Sequence, residues 1–462
     1  MIGIETAIIG FYLIFTLFST WEMQDDFAYF IPRSFLGRIA ILFLVIFSWI
    51  GVSFSVGIDQ NLMALEIVMC VLLSVVHPAF AIGNFLIFIF LRPWEIAQSG
   101  SGPSFYSILP RGLTGIAFLS TIFYLTRTRN MTLKFGAPYL SLLCFAIWTF
   151  LSTFMRSNSG EVQSIFFELF FKSLMIFILI TQSIRDAIGI RFIKAALIFA
   201  SLGISIISIN LAAAASNGAR VGAFGLLADP NDIASVMVMI FPFSFYFLKN
   251  RETPLLLRAI SLCTIGSSLI LFYYARSRGA TLAMLAIFAA MSLFHMKKKR
   301  NALIGSLIVL CLYVPISSQF KRDQADLSAS TESRIIYWET AVKMAIHSPL
   351  FGVGFNGYPE NFDRYAPAFI ESGLRTAHSS WFLSLAETGF PGFLFFISLM
   401  IWAMKTAWRC RVAHPDVLFA TLGYGVAMSF LSHTYAIYFY VLLGIIFVTS
   451  QLDAKNSGEA IS

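Results

Sequence analysis

Long apolar runs recur along nearly the whole chain, and they constrain the fold more than any other feature of the sequence. A helix needs about 17–25 residues to cross a bilayer, and the runs reach that length. Of the 462 residues, 58% are hydrophobic and 12% are charged, which is about half the charged fraction of a soluble protein. The sequence therefore predicts an all-α, polytopic transmembrane helical bundle with about 12–15 spans.

Basic residues cluster in short loops at alternate ends of these runs. Two apolar runs separate each of the following loops from the next: 127–134, 185–194, 249–258, 297–300 and 405–411. Cytoplasmic loops carry an excess of Lys and Arg, so we assign these five loops to the cytoplasm and the intervening loops to the outside. The same bias explains the net charge of +8, and we expect no nucleic-acid partner.

One long polar segment, residues 319–378, stands apart from the apolar runs. It is the only long segment with enough polar chemistry to act on a substrate outside the lipid. The sequence predicts that it is a periplasmic loop with short helices, one of them amphipathic and covering residues 333–341. That helix must end by His347, because Pro349 restricts the residue before it.

The organisation predicted from this pattern has three segments. They are N-terminal transmembrane helices in residues 1–210, a catalytic region with the long loop in 211–400, and C-terminal transmembrane helices with a cytoplasmic tail in 401–462.

His378 is the candidate catalytic residue, because it lies where the long loop returns to the membrane. Histidine titrates near neutral pH and can take a proton from a hydroxyl group. The alternative is a structural histidine that only donates hydrogen bonds at a helix start.

Four arginines at the outer ends of spans are candidate anion-binding residues. They are Arg220, Arg276, Arg278 and Arg334. A guanidinium group offers phosphate a planar fork of hydrogen-bond donors, and two arginines in one outer turn oppose the positive-inside trend. The alternatives are that Arg220 extends to the membrane interface, that Asp229 and Asn231 cap the next helix, and that the Arg276–Arg278 turn is exposed or forms a salt bridge.

Several other classes of site have no signal in the sequence. Histidine and cysteine do not occur at metal-ligand spacing, and neither a P-loop nor a dinucleotide-binding motif is found. The five cysteines show no paired spacing. We therefore expect no metal and no cofactor.

Four motifs of the C-terminal half, taken together, resemble the O-antigen ligase and polymerase superfamily of bacterial envelope glycosyltransferases. They are Ser277-Arg278-Gly279-Ala280, the helix at 334–341, the run Ser-Pro-Leu-Phe-Gly-Val-Gly at 348–354, and His378-Ser379-Ser380-Trp381 with Ala386-Glu387-Thr388-Gly389. The resemblance covers about residues 220–392. Family members often have Asn where this chain has Ser379.

The resemblance implies an inverting, metal-independent transferase whose donor is a glycan on undecaprenyl diphosphate. The acceptor would be a hydroxyl group of another glycan, of lipid A-core or of a protein, in the biosynthesis of cell-surface polysaccharide such as lipopolysaccharide. By position, His378 would activate the acceptor, and Arg220 and Arg278 would hold the diphosphate, with Arg276 and Arg334 as further candidates. The protein would lie in the bacterial inner membrane with its active site facing the periplasm.

Three alternatives stay open at this point. A repeat-unit polymerase of the same superfamily needs the same donor site as a ligase. A transporter or flippase of lipid-linked glycans would favour charged residues within spans and internal pseudo-symmetry, and neither is evident in the sequence. A non-catalytic membrane scaffold leaves the outward arginines and His378 without a role.

Overall fold

The computed structural model describes residues 77–91, 105–129, 132–156, 160–214, 229–294, 324–367 and 375–457, together with Phe15 and Ser74. Apart from Phe15, the first apolar run lies outside the described residues, as do the basic loop at 297–300 and the candidate residue Arg220.

All secondary-structure elements of the described residues are helical. They are α1 (Pro78–Leu91), α2 (Phe105–Arg127), α3 (Ala137–Arg156), α4 (Gly160–Ile165), a π-helical turn (Phe166–Phe171), α5 (Lys172–Ser183), α6 (Ala187–Ala214), α7 (Pro230–Lys249), α8 (Leu255–Ala275), α9 (Arg278–Phe294), α10 (Gln324–His347), α11 (Gly357–Tyr365), α12 (Ser380–Arg409), α13 (Pro415–Met428) and α14 (Ile437–Ser457).

Seven helical segments of the described residues are long and apolar enough to cross a membrane. They are Ala137–Arg156, Val162–Ser183, Ala187–Ile209, Pro230–Lys249, Leu255–Ala275, Ser380–Arg409 and Ile437–Lys455. The predicted fold class, an all-α polytopic bundle, is confirmed, and the chain is a multi-pass membrane protein. The total of about 12–15 spans stays a prediction, because several apolar runs lie outside the described residues.

Helix α3 shows how these helices differ from those of a soluble protein. Its side chains Leu140, Leu143, Ile147 and Phe154 are each at least half exposed. A stripe of exposed large apolar side chains along a 20-residue helix is stable where lipid rather than water covers it. This surface therefore agrees with a helix at the lipid boundary of the bundle.

The chain divides into two compact units. The first consists of Met1–Leu133, Leu179–Ala228 and Phe243–Tyr274. Within it, α1 packs against α2 and α6. The Phe15 ring lies among the aromatic rings at this packing, with its centroid 5.8 Å from that of Phe80.

The second unit consists of Lys134–Ile178, Asp229–Pro242 and Ala275–Ser462. Helix α12 is its centre and packs against α3, α10, α11, α13 and α14. Every described candidate residue belongs to this unit. The division of the chain into the segments 1–210, 211–400 and 401–462 stays a prediction.

The described part of the long loop contains two helices, as predicted. Helix α10 includes the predicted amphipathic segment and is longer than expected, with 24 residues. It ends at His347, two residues before Pro349, so the predicted end is confirmed. A buried cluster of Met344, Tyr358, Phe362 and Leu383 then fixes α10 and α11 to the start of α12.

Helix α12 contains a kink at Gly389, whose backbone angles are φ 65° and ψ −170°. The cause lies in the next two residues. Pro391 has no N–H group for the carbonyl of Glu387, and the N–H of Phe390 donates to the Pro349 carbonyl at 2.8 Å. The kink therefore frees the carbonyls of Ala386 and Glu387 from their usual partners within the helix.

Backbone N–H groups of the segment 348–354 donate hydrogen bonds to the freed carbonyls. The Val353 N–H donates to the Ala386 carbonyl at 2.9 Å, and the Gly354 N–H donates to the Glu387 carbonyl at 3.0 Å. The Trp148 indole of α3 donates to the carbonyls of Leu350 at 3.1 Å and Thr388 at 3.0 Å. Two of the sequence motifs, 348–354 and 386–389, thus form one backbone joint that anchors the loop to the membrane helices.

Candidate functional site

His378 lies immediately before α12 in an unusual backbone conformation. Its φ is 44°, in the left-handed region that few residues other than glycine adopt. The next residue, Ser379, is extended and forms the N-cap of α12. The preceding residue, Ala377, is fully buried in the loop cluster. The conformation is therefore fixed from both sides.

The imidazole of His378 is half-buried against α10. Its ring centroid lies 5.9 Å from that of Tyr337. Burial lowers the pKa of His378, and the charge of Arg334 lowers it further, whereas Asp229 and Asp232 act in the opposite direction. The net shift is downward, which favours the uncharged ring, the form that is able to accept a proton.

Arg334 lies on α10, one helical turn before Trp338, and is half-buried. Its guanidinium carbon is 5.8 Å from the centroid of the Phe430 ring, a cation–π distance. Burial lowers the pKa of Arg334, the charge of Arg278 lowers it further, and Asp229 raises it. These shifts show that Arg278, Arg334 and Asp229 are close enough for their charges to interact.

Arg278 is the first residue of α9 and is half-buried. The helix begins there because the Ser277 hydroxyl accepts a hydrogen bond from the Ala280 N–H at 3.3 Å, a standard N-cap contact. At Gly279, an added Cβ would lie 3.1 Å from the Cβ of Phe430. The Ser-Arg-Gly-Ala motif thus places the start of α9 against Phe430, the residue whose ring lies at cation–π distance from Arg334.

Three of the predicted site residues are coupled in series through their charges. Arg334 acts on His378, and Arg278 acts on Arg334. Arg276 is exposed, with φ 54°, in the turn between α8 and α9, and it is not among the charges that shift His378 or Arg334. The assignment of these residues to catalysis and diphosphate binding stays a prediction.

Asp229 and Asp232 belong to the site, although the sequence did not single them out as functional. Asp229 caps α7, because its Oδ1 accepts hydrogen bonds from the Asn231 N–H at 2.9 Å and from the Asn231 side-chain amide at 2.8 Å. The predicted capping alternative is therefore confirmed for Asp229. Its charge nevertheless acts on both Arg334 and His378, so the capping residue also contributes to the site.

A second histidine, His433, is buried beside these carboxylates. Its Nε2 lies 2.9 Å from the Asp232 Oδ1, and its Nδ1 lies 2.9 Å from the Tyr424 hydroxyl. Its backbone N–H donates to the Ser380 hydroxyl at 2.9 Å. The sequence gives no signal for the pairing of His433 with Asp232, because 201 positions separate the two.

Comparison with known proteins gives one match. Residues 262–397 match the model of the O-antigen ligase family. No curated protein matches the chain. The matched segment contains Arg278, Arg334, His378 and both halves of the joint at Gly389. The match confirms the resemblance for this region: residues 262–397 of this membrane protein are similar to the O-antigen ligase family.

Proposed function

We propose that this protein transfers a glycan from undecaprenyl diphosphate to an acceptor hydroxyl group during cell-surface polysaccharide biosynthesis. The family match supports a ligase or polymerase function in membrane polysaccharide assembly. One observation carries the finer proposal. At the start of α12, the half-buried His378 lies close enough to Arg334 of α10 for that charge to lower its pKa, and Arg334 is in turn coupled to Arg278 of α9.

In the proposed reaction His378 is the general base. Its free ring nitrogen takes the proton of the acceptor hydroxyl, and the hydroxyl oxygen attacks the anomeric carbon of the donor sugar. The bond between that carbon and the diphosphate oxygen breaks, and its electron pair leaves with the diphosphate. A single displacement of this kind inverts the anomeric configuration. Positioned general bases accelerate reactions about 10²–10⁴-fold.

Arg278 and Arg334 are the proposed partners of the leaving diphosphate. Their fixed positive charges stabilise the negative charge that develops on the leaving oxygen. Each guanidinium also offers phosphate oxygens a planar pair of donors. The glycosyl diphosphate is already an activated donor, so the reaction as proposed needs neither a nucleotide nor a metal ion. Arg220 and Arg276 remain proposed diphosphate contacts on the basis of the resemblance.

The proposed location is the bacterial inner membrane, with the site facing the periplasm. The basic loops at 127–134 and 405–411 support this orientation, because such loops stay in the cytoplasm. Two spans, Ala137–Arg156 and Val162–Ser183, follow the first of these loops. On this topology a lipid-linked donor would present its head group to the long loop while its tail stays between helices.

The test is transfer in detergent with the purified full-length protein, an undecaprenyl-diphosphate-linked glycan and a glycan acceptor. We expect His378→Ala to lower the rate at least about 100-fold. Its control is His347→Ala, because His347 belongs to the same loop but is exposed at the end of α10. We also expect Arg278→Lys to be impaired, since lysine lacks the planar fork.

Two outcomes would contradict the proposal. One is an unchanged rate for His378→Ala in protein that elutes as folded, which would remove the assigned base. The other is the absence of any new glycosidic bond with wild-type protein, which would favour transport of the lipid-linked glycan. Mass spectrometry of the glycan attachment point in a deletion strain separates a ligase from a repeat-unit polymerase.

A further inference from the structure

The hydrogen-bonded pair of His433 and Asp232 has no role in the proposed proton transfer or in diphosphate binding. Asp232 lies in the first turn of α7, three residues after the capping residue Asp229. The Asp232 N–H donates to the Asp229 carbonyl at 2.9 Å, so the two residues belong to the same first turn. Both sit at the positive end of the helix dipole, where negative charge is favoured. The start of α7 is thus a fixed source of negative charge.

The hydrogen bonds around His433 hold the Asp232 carboxylate in one orientation. An ionised carboxylate only accepts hydrogen bonds, so the His433 Nε2–H donates to the Asp232 Oδ1 across 2.9 Å. The Nδ1 forms a second hydrogen bond, with the Tyr424 hydroxyl, across 2.9 Å. The His433 side chain is 7% exposed and that of Asp232 is 22% exposed. The imidazole is therefore enclosed, whereas the carboxylate reaches a more open space.

The backbone connects this pair to the start of α12. The Ser380 hydroxyl accepts from the His433 N–H at 2.9 Å and donates to the Leu431 carbonyl at 2.7 Å. The Thr434 hydroxyl donates to the Ser380 carbonyl at 2.9 Å. Ser380 is two residues from His378. The turn that carries His433 thus fixes Asp232 relative to the segment that carries the candidate base.

Among the residues that the structure describes, the charged and titratable groups shown to act on or contact His378 come from two elements. Arg334 and Tyr337 come from α10, and Asp229 and Asp232 come from the start of α7. Arg334 disfavours a positive charge on the imidazole, whereas both carboxylates favour it. Asp229 is also coupled to Arg334. Asp232 is the carboxylate that a buried imidazole holds in place.

We propose that Asp232, oriented by His433, is a positioning residue that stabilises the positive charge on His378 after His378 takes the proton of the acceptor hydroxyl. This inference rests on the proposed function. The proton moves from the hydroxyl oxygen to the imidazole, and the Asp232 carboxylate stays ionised throughout. Its effect is purely electrostatic, since it makes His378 a stronger base without contacting the substrate.

The experiment is the pH dependence of the transfer rate for the purified full-length protein. Activity rises with pH as His378 loses its proton, and this rise forms the acid limb of the profile. Asp232→Asn removes one negative charge at nearly constant size. We expect the acid limb to move to lower pH by about half a unit or more. We also expect kcat to fall about 3–10-fold, with KM for the acceptor unchanged, because a weaker base accepts the proton less readily.

Two further variants separate charge from structure. Asp232→Glu retains the charge and should keep the acid limb at the wild-type pH. Glu360→Gln removes an exposed carboxylate from α11 in the same loop and should leave both kcat and the limb unchanged. If Asp232→Asn does not fold, Asp232→Gln against Asp232→Glu gives the same comparison.

Several results would overturn the inference. The first is an acid limb of Asp232→Asn that coincides with that of the wild type. The second is a shift of the acid limb in Glu360→Gln as large as that in Asp232→Asn. The third is that the neutral variants of Asp232 fail to fold while Asp232→Glu folds. Failure of the proposed function has a different signature, because the wild-type protein would then form no product or His378→Ala would retain full activity.

Discussion

Gly389 provides a sharp test of how the loop is anchored to the membrane helices. Its φ of 65° and ψ of −170° lie in a region that is essentially restricted to glycine. A Cβ at this position would be 2.6 Å from the carbonyl oxygens of both Pro349 and Leu350. Both oxygens belong to the backbone, so rotation of a side chain cannot relieve the contact. We therefore expect Gly389→Ala to force the 348–354 segment away from α12.

The loss of stability follows from two terms. Holding alanine in this backbone region costs about 1–3 kcal/mol. Displacement of the segment also breaks the hydrogen bond from the Phe390 N–H to Pro349, and the bonds from Val353 and Gly354 weaken with it. One or two lost bonds add about 1 kcal/mol each. The sum is about 2–5 kcal/mol, which at about 2 °C per kcal/mol for a large chain lowers Tm by about 4–10 °C.

The assay is thermal unfolding of detergent-purified protein at one scan rate, because membrane proteins often unfold irreversibly. The matched control is Gly425→Ala. Gly425 lies inside α13, and the nearest atom to its added Cβ is the Met400 Cε at 3.6 Å, which is an ordinary contact. Alanine there should leave Tm unchanged or raise it slightly, since it favours helix by about 1 kcal/mol over glycine.

The result that would refute this reasoning is a Tm for Gly389→Ala within about 1 °C of the values for the wild type and Gly425→Ala. The kink would then be able to relax into a regular backbone without loss of the joint. Limited proteolysis offers an independent reading, because a detached segment around 348–354 should be cleaved faster in Gly389→Ala than in the control.

Two further predictions concern helix starts outside this joint. Burial of Asp186 raises its pKa, but the hydrogen bond and charge of His77, together with the Gly189 N–H and the Tyr124 hydroxyl, outweigh burial and bring the pKa from 3.8 to about 2. The depressed pKa means that the ionised form stabilises the fold above about pH 4, so the Tm difference between the wild type and Asp186→Asn should be largest at neutral pH and should shrink between about pH 4 and 2. Ser277→Ala removes the N-cap of α9 and should destabilise the protein by about 1 kcal/mol, or about 2 °C in Tm. If the transfer rate of Ser277→Ala falls more than that of Asp186→Asn, the cap also orients Arg278.

The fold class and the ends of some elements could be predicted from local sequence. Apolar runs of bilayer length indicate helices wherever they occur, since no other structure satisfies the backbone in lipid. The end of α10 at His347 follows from Pro349, because proline restricts the residue before it. These are local rules, and they need no knowledge of the rest of the chain. The predicted helix at 333–341 was too short because its N-terminal half carries no apolar periodicity.

The joint at Gly389 could be predicted only in part. Glycine followed two positions later by proline indicates a break in a helix, but it does not indicate what satisfies the carbonyls that the break frees. The partners lie far away along the chain, with Trp148 separated from Thr388 by 240 positions. Local propensity holds no information about such pairs. The two motifs were found only because a family resemblance grouped them.

The candidate site shows the same limit. His378, Arg278 and Arg334 were identified because polar residues at span ends are uncommon and expensive. Asp232 also lies at a span end but was assigned no role, because an acidic residue in the first turn of a helix is common and favourable. Its pairing with His433 depends on how the α7 start and the turn after α13 meet within the second unit, and a single sequence does not specify that arrangement.

Charge balance at the site connects the proposed donor, base and carboxylates. Arg278 and Arg334 repel each other, and burial adds to the free energy of holding both charged. Asp229 offsets part of this repulsion through its coupling to Arg334. In the proposed reaction the donor diphosphate supplies further negative charge to the arginines, which weakens their disfavouring effect on a positive His378. Donor binding would therefore strengthen the base just when an acceptor hydroxyl needs it, while the carboxylate of Asp232 holds the developing imidazolium. Deprotonation of the acceptor hydroxyl would then be most favourable when the donor already occupies the site, because only then does the base have its full strength.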